Sequence, residues 1–318
     1  MEYFYTICIR MVFCFIIMGL GYFCFKIKIF SEEGRISLGK FISKIVLPLM
    51  CFSVIINSGT RAEVFDSSIV LLLAAASFAL QFSVALLSSK ILKLKGYTKG
   101  VHIAISTMSN NGFLGIPLFA ALFGENKFGM LTLSIFFIVD QLYVWTIGYY
   151  NLSGGKAGGK LSIKKVFTPA FILIFSGLII VLSGFDVHAY KPVSFIFETA
   201  SEIGALSKVL ALIYIGACIP QLSFKRVVTN KNLITALSVK MLAIPVVIIL
   251  IFKFIPIEFN PEQIMVIIIT SGIPSMISLP ALAYNENSDY DYALQGTLVS
   301  NVVCLVTLPL ITAMTQLV

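Results

Sequence analysis

Apolar positions along the chain come in long unbroken runs, with polar residues gathered between them. The runs fall near residues 3–25, 40–59, 68–89, 101–123, 128–150, 168–185, 200–220, 233–255, 262–284 and 292–316. A helix needs about 20 mostly apolar residues to cross a bilayer core. Strands of a membrane barrel would show short segments of strict alternation instead, and these runs do not alternate. The pattern predicts an all-α polytopic membrane protein with ten transmembrane helices. The seventh run is the weakest, because Glu202 and Lys208 interrupt it. The first is too long for a signal peptide and lacks a small-residue cleavage site, so it reads as a retained span.

Composition narrows the classes. Hydrophobic residues make up 58% of the 318 and charged residues only 12%, too few charges to cover a soluble surface. The same apolar content excludes a disordered chain. A net charge of +8 would suggest nucleic acid in a soluble protein; here the basic residues sort by loop. With the N-terminus outside, sixteen Lys and Arg fall in cytoplasmic loops and four, Arg61, Lys127, Lys191 and Lys253, in external ones. That bias predicts a multi-pass plasma-membrane protein with both termini extracytoplasmic and no nucleic-acid partner. Cys8, Cys14, Cys24, Cys51, Cys218 and Cys304 all lie in apolar runs without a CxxC pair. They read as reduced packed thiols, and no metal or cofactor is expected. No HExxH, GxSxG or P-loop occurs, so an enzyme is not predicted.

The halves echo one another. Ile42-Ser43-Lys44 is matched by Leu206-Ser207-Lys208, and Thr107 and Pro117 by Thr270 and Pro280 at an offset of 163. The division is then 1–150, a Gly/Lys-rich cytoplasmic linker at 151–167, and 168–318. Five helices is an odd number, so two such repeats must have opposite membrane orientations.

Spans 4 and 9 carry the most informative residues. Span 4 places Asn110, Asn111, Gly112, Gly115 and Pro117 at mid-membrane depth; span 9 places Gly272, Pro274, Ser275, Ser278 and Pro280 there. Proline removes a backbone donor and clashes with the preceding turn, and glycine weakens the helix further. Unwound backbone at that depth is tolerated where it lines a cavity or is buried in protein. Opened half-helices offer N–H groups at a positive dipole end, which suits a carboxylate. A symmetric pair of broken helices points to a transporter binding site.

At these residues the sequence resembles the auxin efflux carrier family, which includes plant PIN-formed carriers and bacterial malate or malonate permease-like proteins. The matches are Asn110 with Gly115-Ile116-Pro117, Gln141 with Trp145, Lys240 with Pro245, Pro274 with Pro280, and Leu47-Pro48-Leu49. The Pro274–Pro280 spacing is one residue longer than in the plant members, and the central loop is far shorter. The resemblance implies a scaffold of spans 1, 2, 6 and 7 and a transport domain of spans 3–5 and 8–10. That domain would move elevator-fashion, with spans 4 and 9 crossing at their breaks. A small carboxylate would sit at the crossing, held by Asn110 and Gln141 with Asn111, Gly115, Pro117, Pro274, Ser275, Ser278 and Pro280. A homodimer through the scaffold is a further implication.

Asp140 and Lys240 lie deep in spans, where ionisable groups are costly and usually functional. They either pair with one another or take part in ion coupling. Asn57 either faces the substrate path or sits among outer headgroups. Gln81 reads as polar glue between helices, His102 as an interfacial histidine, His188 as loop, and Arg10 as a snorkelling side chain. The competing readings are a sodium-coupled symporter of the bile-acid type, an intramembrane enzyme and a non-transporting sensor.

Overall fold

The computed structural model describes residues 2–58, 60–123, 126–155, 167–187, 189–221 and 229–318. Most of the linker, His188, and the side chains of Arg10 and Lys208 lie outside the described residues. Among the described residues the protein is helical, and its one β-type contact is an isolated bridge. Six helices are long and apolar enough to cross a membrane: Glu32–Asn57, Arg61–Ile91, Lys127–Leu152, Lys191–Cys218, Lys231–Phe254 and Tyr290–Leu317. Val12–Lys26 and Pro169–Ser183 are shorter apolar helices.

Two of the expected spans are missing from the long set for a physical reason: each is cut in two. Gly96–Thr107 stops, and a π turn at Asn111–Gly115 leads into Ile116–Phe123. Pro261–Gly272 stops, and Leu279–Asn285 follows after six non-helical residues. Several intact helices also reach further than the apolar runs. Ser31 caps Glu32–Phe41 by accepting from the Gly34 N–H at 3.0 Å. Lys191–Ala205 begins nine residues before the expected span, and the chain bends at Leu206 before Ser207–Cys218.

Three π turns have a cause visible in the sequence. They occupy Ile42–Val46, Asn111–Gly115 and Val239–Ala243. A proline stands two residues beyond each, at 48, 117 and 245. A proline cannot donate to the carbonyl four residues back, and its ring crowds that carbonyl. Widening the turn lets the N–H of the residue before the proline reach one carbonyl further back: Leu47 to Ile42, Ile116 to Asn111, Ile244 to Val239. Such turns are rare and concentrate at functional positions.

Tight packing elsewhere uses small residues. Glu2–Lys26 crosses Ser207–Cys218 with glycine on both sides. A Cβ at Gly21 would lie 2.1 Å from the Ile213 carbonyl oxygen, and one at Gly216 1.9 Å from that of Met18. Pro169–Ser183 and Lys191–Ala205 both pack against Leu47–Ser58, with Gly177 against Ile55 and Gly204 against the backbone of Met50. The five described cysteines are free thiols.

Candidate functional site

The two broken helices meet at their breaks. Ser109 and Ser275 form an antiparallel bridge. The Asn110 N–H donates to the Pro274 carbonyl at 2.7 Å, and the Met276 N–H donates to the Met108 carbonyl at 2.9 Å. Each break therefore satisfies backbone groups the other leaves open, which makes non-helical backbone tolerable at this depth. Side chains extend the exchange. Ser275 Oγ donates to the Ile105 carbonyl at 2.8 Å, and Ser109 Oγ to the Thr270 carbonyl at 3.4 Å. Beyond the breaks, the half-helices opening at Asn111 and Leu279 begin without a side-chain cap.

A buried polar network surrounds this crossing. Lys240, fully buried in its π turn, donates to Ser109 Oγ at 2.5 Å and to Gln81 Oε1 at 3.2 Å. Gln81 is thus an acceptor for a buried ammonium as well as a donor to Ser77. Lys240 and Asp140, read either as a pair or as ion-coupling groups, do not hydrogen-bond to one another. Asp140 accepts from Asn111 Nδ2 at 2.8 Å and from Gln141 Nε2 at 3.0 Å. Trp145 Nε1 in turn donates to Gln141 Oε1 at 3.3 Å. Neutral groups make the direct hydrogen bonds of both, while Asp140 and Lys240 act on one another through space, and among the described residues the ion pair in direct contact is Arg35 with Glu32.

Asn110 Nδ2 donates to Asn301 Oδ1 at 3.0 Å, and Asn301 Nδ2 donates to the Ser275 and Thr297 carbonyls at 3.0 and 2.8 Å. The Ser275 N–H donates to Ser300 Oγ at 3.1 Å. Tyr290–Met314 thus braces the crossing from behind.

Of the residues picked from the sequence, Asn110, Asn111, Gly115, Pro274, Ser275 and Pro280 are buried at or beside the crossing, with Asp140 and Lys240. Gln141 is half-buried next to Asp140. Ser278 is exposed at the start of Leu279–Asn285, and Asn57 is exposed near the end of its helix, with no hydrogen bond to the network among the described residues. The Pro117 side chain lies outside the described residues. The sequence reading missed Ser109, Ser300 and Asn301. For Ser300 and Asn301 the available signal was their adjacency near the middle of a 25-residue helix, and Ser109 adjoins Asn110 in the first break.

The long apolar helices and a buried polar crossing of two interrupted ones define a multi-pass membrane transport protein. A family model described as membrane transport protein matches residues 6–162 and 155–312, and the chain belongs to that family, the family of the auxin efflux carriers. It is similar to an uncharacterised transporter of Methanothermobacter thermautotrophicus, 22% identical over 302 residues, 93% of this chain and 94% of that protein. It is also similar to an uncharacterised transporter of Methanocaldococcus jannaschii, 27% identical over 208 residues, 63% of this chain and 65% of the relative.

Proposed function

We propose that the protein is a secondary transporter of the plasma membrane that moves a small carboxylate by elevator-type alternating access. The observation that carries this reading is Lys240, a buried ammonium at the crossing that rests on neutral acceptors instead of a carboxylate. Burying a charge with only the through-space attraction of Asp140 to offset it is costly, and an anionic substrate offsets that cost when it binds. The uncapped helix start at Asn111 adds N–H groups of the same polarity.

In this reading the ten spans form two inverted five-helix repeats, joined by 151–167, with both termini outside. Spans 1, 2, 6 and 7 are the scaffold, and their glycine contacts support a rigid body. Spans 3–5 and 8–10 carry the crossing and move against it. Two copies joined through the scaffold would leave the moving bodies facing lipid. Membership in a transport family speaks for vectorial movement over chemical turnover.

The test is uptake into proteoliposomes of labelled malate, malonate and indole-acetate, each with and without a pH gradient and with sodium or a large organic cation. Saturable uptake of at least one is expected. Asn110→Ala removes the Asn301 bond, and a loss of at least about tenfold in uptake is expected at the ordinary worth of a buried hydrogen bond. Unchanged uptake with normal membrane insertion would refute the site.

A further inference from the structure

The two asparagines at the first break are locked in orientation by their neighbours. Asn301 spends its Nδ2 on two carbonyls, so its Oδ1 is the atom that faces Asn110. Asn110 must turn its NH₂ group toward that oxygen. Asn111 must likewise turn its NH₂ group toward the carboxylate of Asp140. Neither amide can flip without breaking a good hydrogen bond. The consequence is that both Oδ1 atoms are left over. They are buried and have no donor, with Asn110 1% and Asn111 0% exposed. Two adjacent orphan acceptors in one buried turn are exceptional, because an unsatisfied buried carbonyl is among the more costly defects of a folded interior. A Cβ at Gly115 would stand 3.3 Å from Asn111 Oδ1 and 2.9 Å from Ile273 Cδ1, so a side chain in place of this glycine would crowd the oxygen.

An anion alone would not satisfy these atoms, since a carboxylate oxygen brings no hydrogen. Lys240 has the opposite requirement. Two of its three N–H groups are used, both on neutral oxygens. The crossing therefore gathers a buried positive donor and two neutral acceptors.

We infer that Asn110 and Asn111 read a hydrogen-bond donor on the substrate, so that the transported anion is a carboxylate that also bears an O–H or N–H group. This rests on the carboxylate reading of the same site and narrows it. The carboxylate lies on the Lys240 side, and the donor reaches the asparagine oxygens.

The experiment compares ligands that differ only in the donor, using the full chain in proteoliposomes and binding to the purified protein. Malate is set against succinate, which lacks the hydroxyl, and against methoxysuccinate, which keeps the oxygen and loses its hydrogen. Indole-3-acetate is set against its N-methyl derivative, and malonate serves as a donor-free acid. The donor-bearing member of a pair is expected to bind and move at least about tenfold better, because a site built for an O–H or N–H rejects an analogue lacking it. In Asn110→Ala and Asn111→Ala the donor-bearing ligand should fall to the level of its donor-free partner.

Equal handling of both members, or malonate moving as well as malate, overturns the inference and leaves the carboxylate carrier standing. So does binding that requires sodium and ignores the donor, since the orphan oxygens would then serve a cation. A wild-type preference that survives in both variants overturns the assignment to these two oxygens. No binding of any acid in the series removes the carboxylate reading and this inference together.

Discussion

Two helix crossings inside this molecule are built on opposite terms. Where Glu2–Lys26 meets Ser207–Cys218, glycine faces backbone on both sides, and the contact is close. Where the broken helices meet, backbone bonds run between Asn110 and Pro274 and between Met276 and Met108, and side-chain amides, hydroxyls and an ammonium fill the surroundings. Without water to drive apolar helices together, the first crossing gains from dispersion at short range. The second gives up helix continuity and must satisfy each polar group separately. A contact of the first kind has one good geometry. A contact of the second kind holds atoms that can change partners, and a substrate site needs such atoms. Substitutions at the first should therefore cost the fold, and substitutions at the second should cost transport.

The largest effect is expected at Gly216. Any Cβ there meets the Met18 carbonyl oxygen at 1.9 Å, and a backbone carbonyl cannot swing away as a side chain could. Gly216→Val should destabilise by upwards of about 3 kcal/mol, as overpacking in a close contact does. Thermal unfolding of detergent-solubilised protein, or loss of the monodisperse fraction, measures it. A variant as stable as the parent would mean that this crossing is looser than drawn.

Lys240→Met should show the reverse. Methionine has similar length, and shedding the desolvation penalty of the buried ammonium offsets leaving Gln81 Oε1 without its donor. Stability should stay within about 1 kcal/mol of the parent, while uptake falls by about 10–100-fold, the worth of hydrogen bonds to a charged group. If stability collapsed with flux, Lys240 would be a structural residue like Gly216, and the contrast between the crossings would fail.

Asn301→Leu lies between these extremes. It removes the acceptor of Asn110 Nδ2 and the donor to the Ser275 carbonyl at once. Both groups stay buried, so a cost of about 1–3 kcal/mol follows, together with reduced uptake. Thermal unfolding and flux on the same preparation would separate the two losses.

Much of this arrangement was legible beforehand because bilayer physics leaves few alternatives. Apolar run length located the helices, and the Gly, Pro and Asn clusters located both interruptions. What the sequence did not reveal was partner choice. As opposite charges at membrane depth, Asp140 and Lys240 were readable either as a pair or as ion-coupling groups. Yet Asn111 and Gln141 take the first, and Ser109 and Gln81 the second. Charge sign is visible in a sequence, whereas the rotation of a helix about its axis is set by packing. Asn57 shows the same limit: its depth was uncertain, and it proves exposed. Asn301 was passed over because the glycine and proline of its helix, Gly296 and Pro309, stand thirteen residues apart instead of clustering at a break.

The smallest effect is expected at Tyr292, where polar atoms meet open space. His102 is fully buried, with Ser88 Oγ 2.8 Å from Nε2 and the Tyr292 hydroxyl 3.0 Å from Nδ1. Ser88 gives its own proton to the Ala85 carbonyl at 2.9 Å. It must therefore accept from Nε2–H, which leaves Nδ1 as the acceptor and the Tyr292 O–H as the donor. Tyr292 also lines a cavity of about 640 Å³ with Thr98, Lys231 and Asp289, so Tyr292→Phe opens Nδ1 to a site large enough for water. A bridging water is nearly as good as the lost bond. The variant should lose less than about 1 kcal/mol of stability and keep its uptake, in contrast to Asn301→Leu at the buried crossing. A loss as large as that of Asn301→Leu would show the cavity dry at this point, and polar atoms at the two places would then obey the same rule.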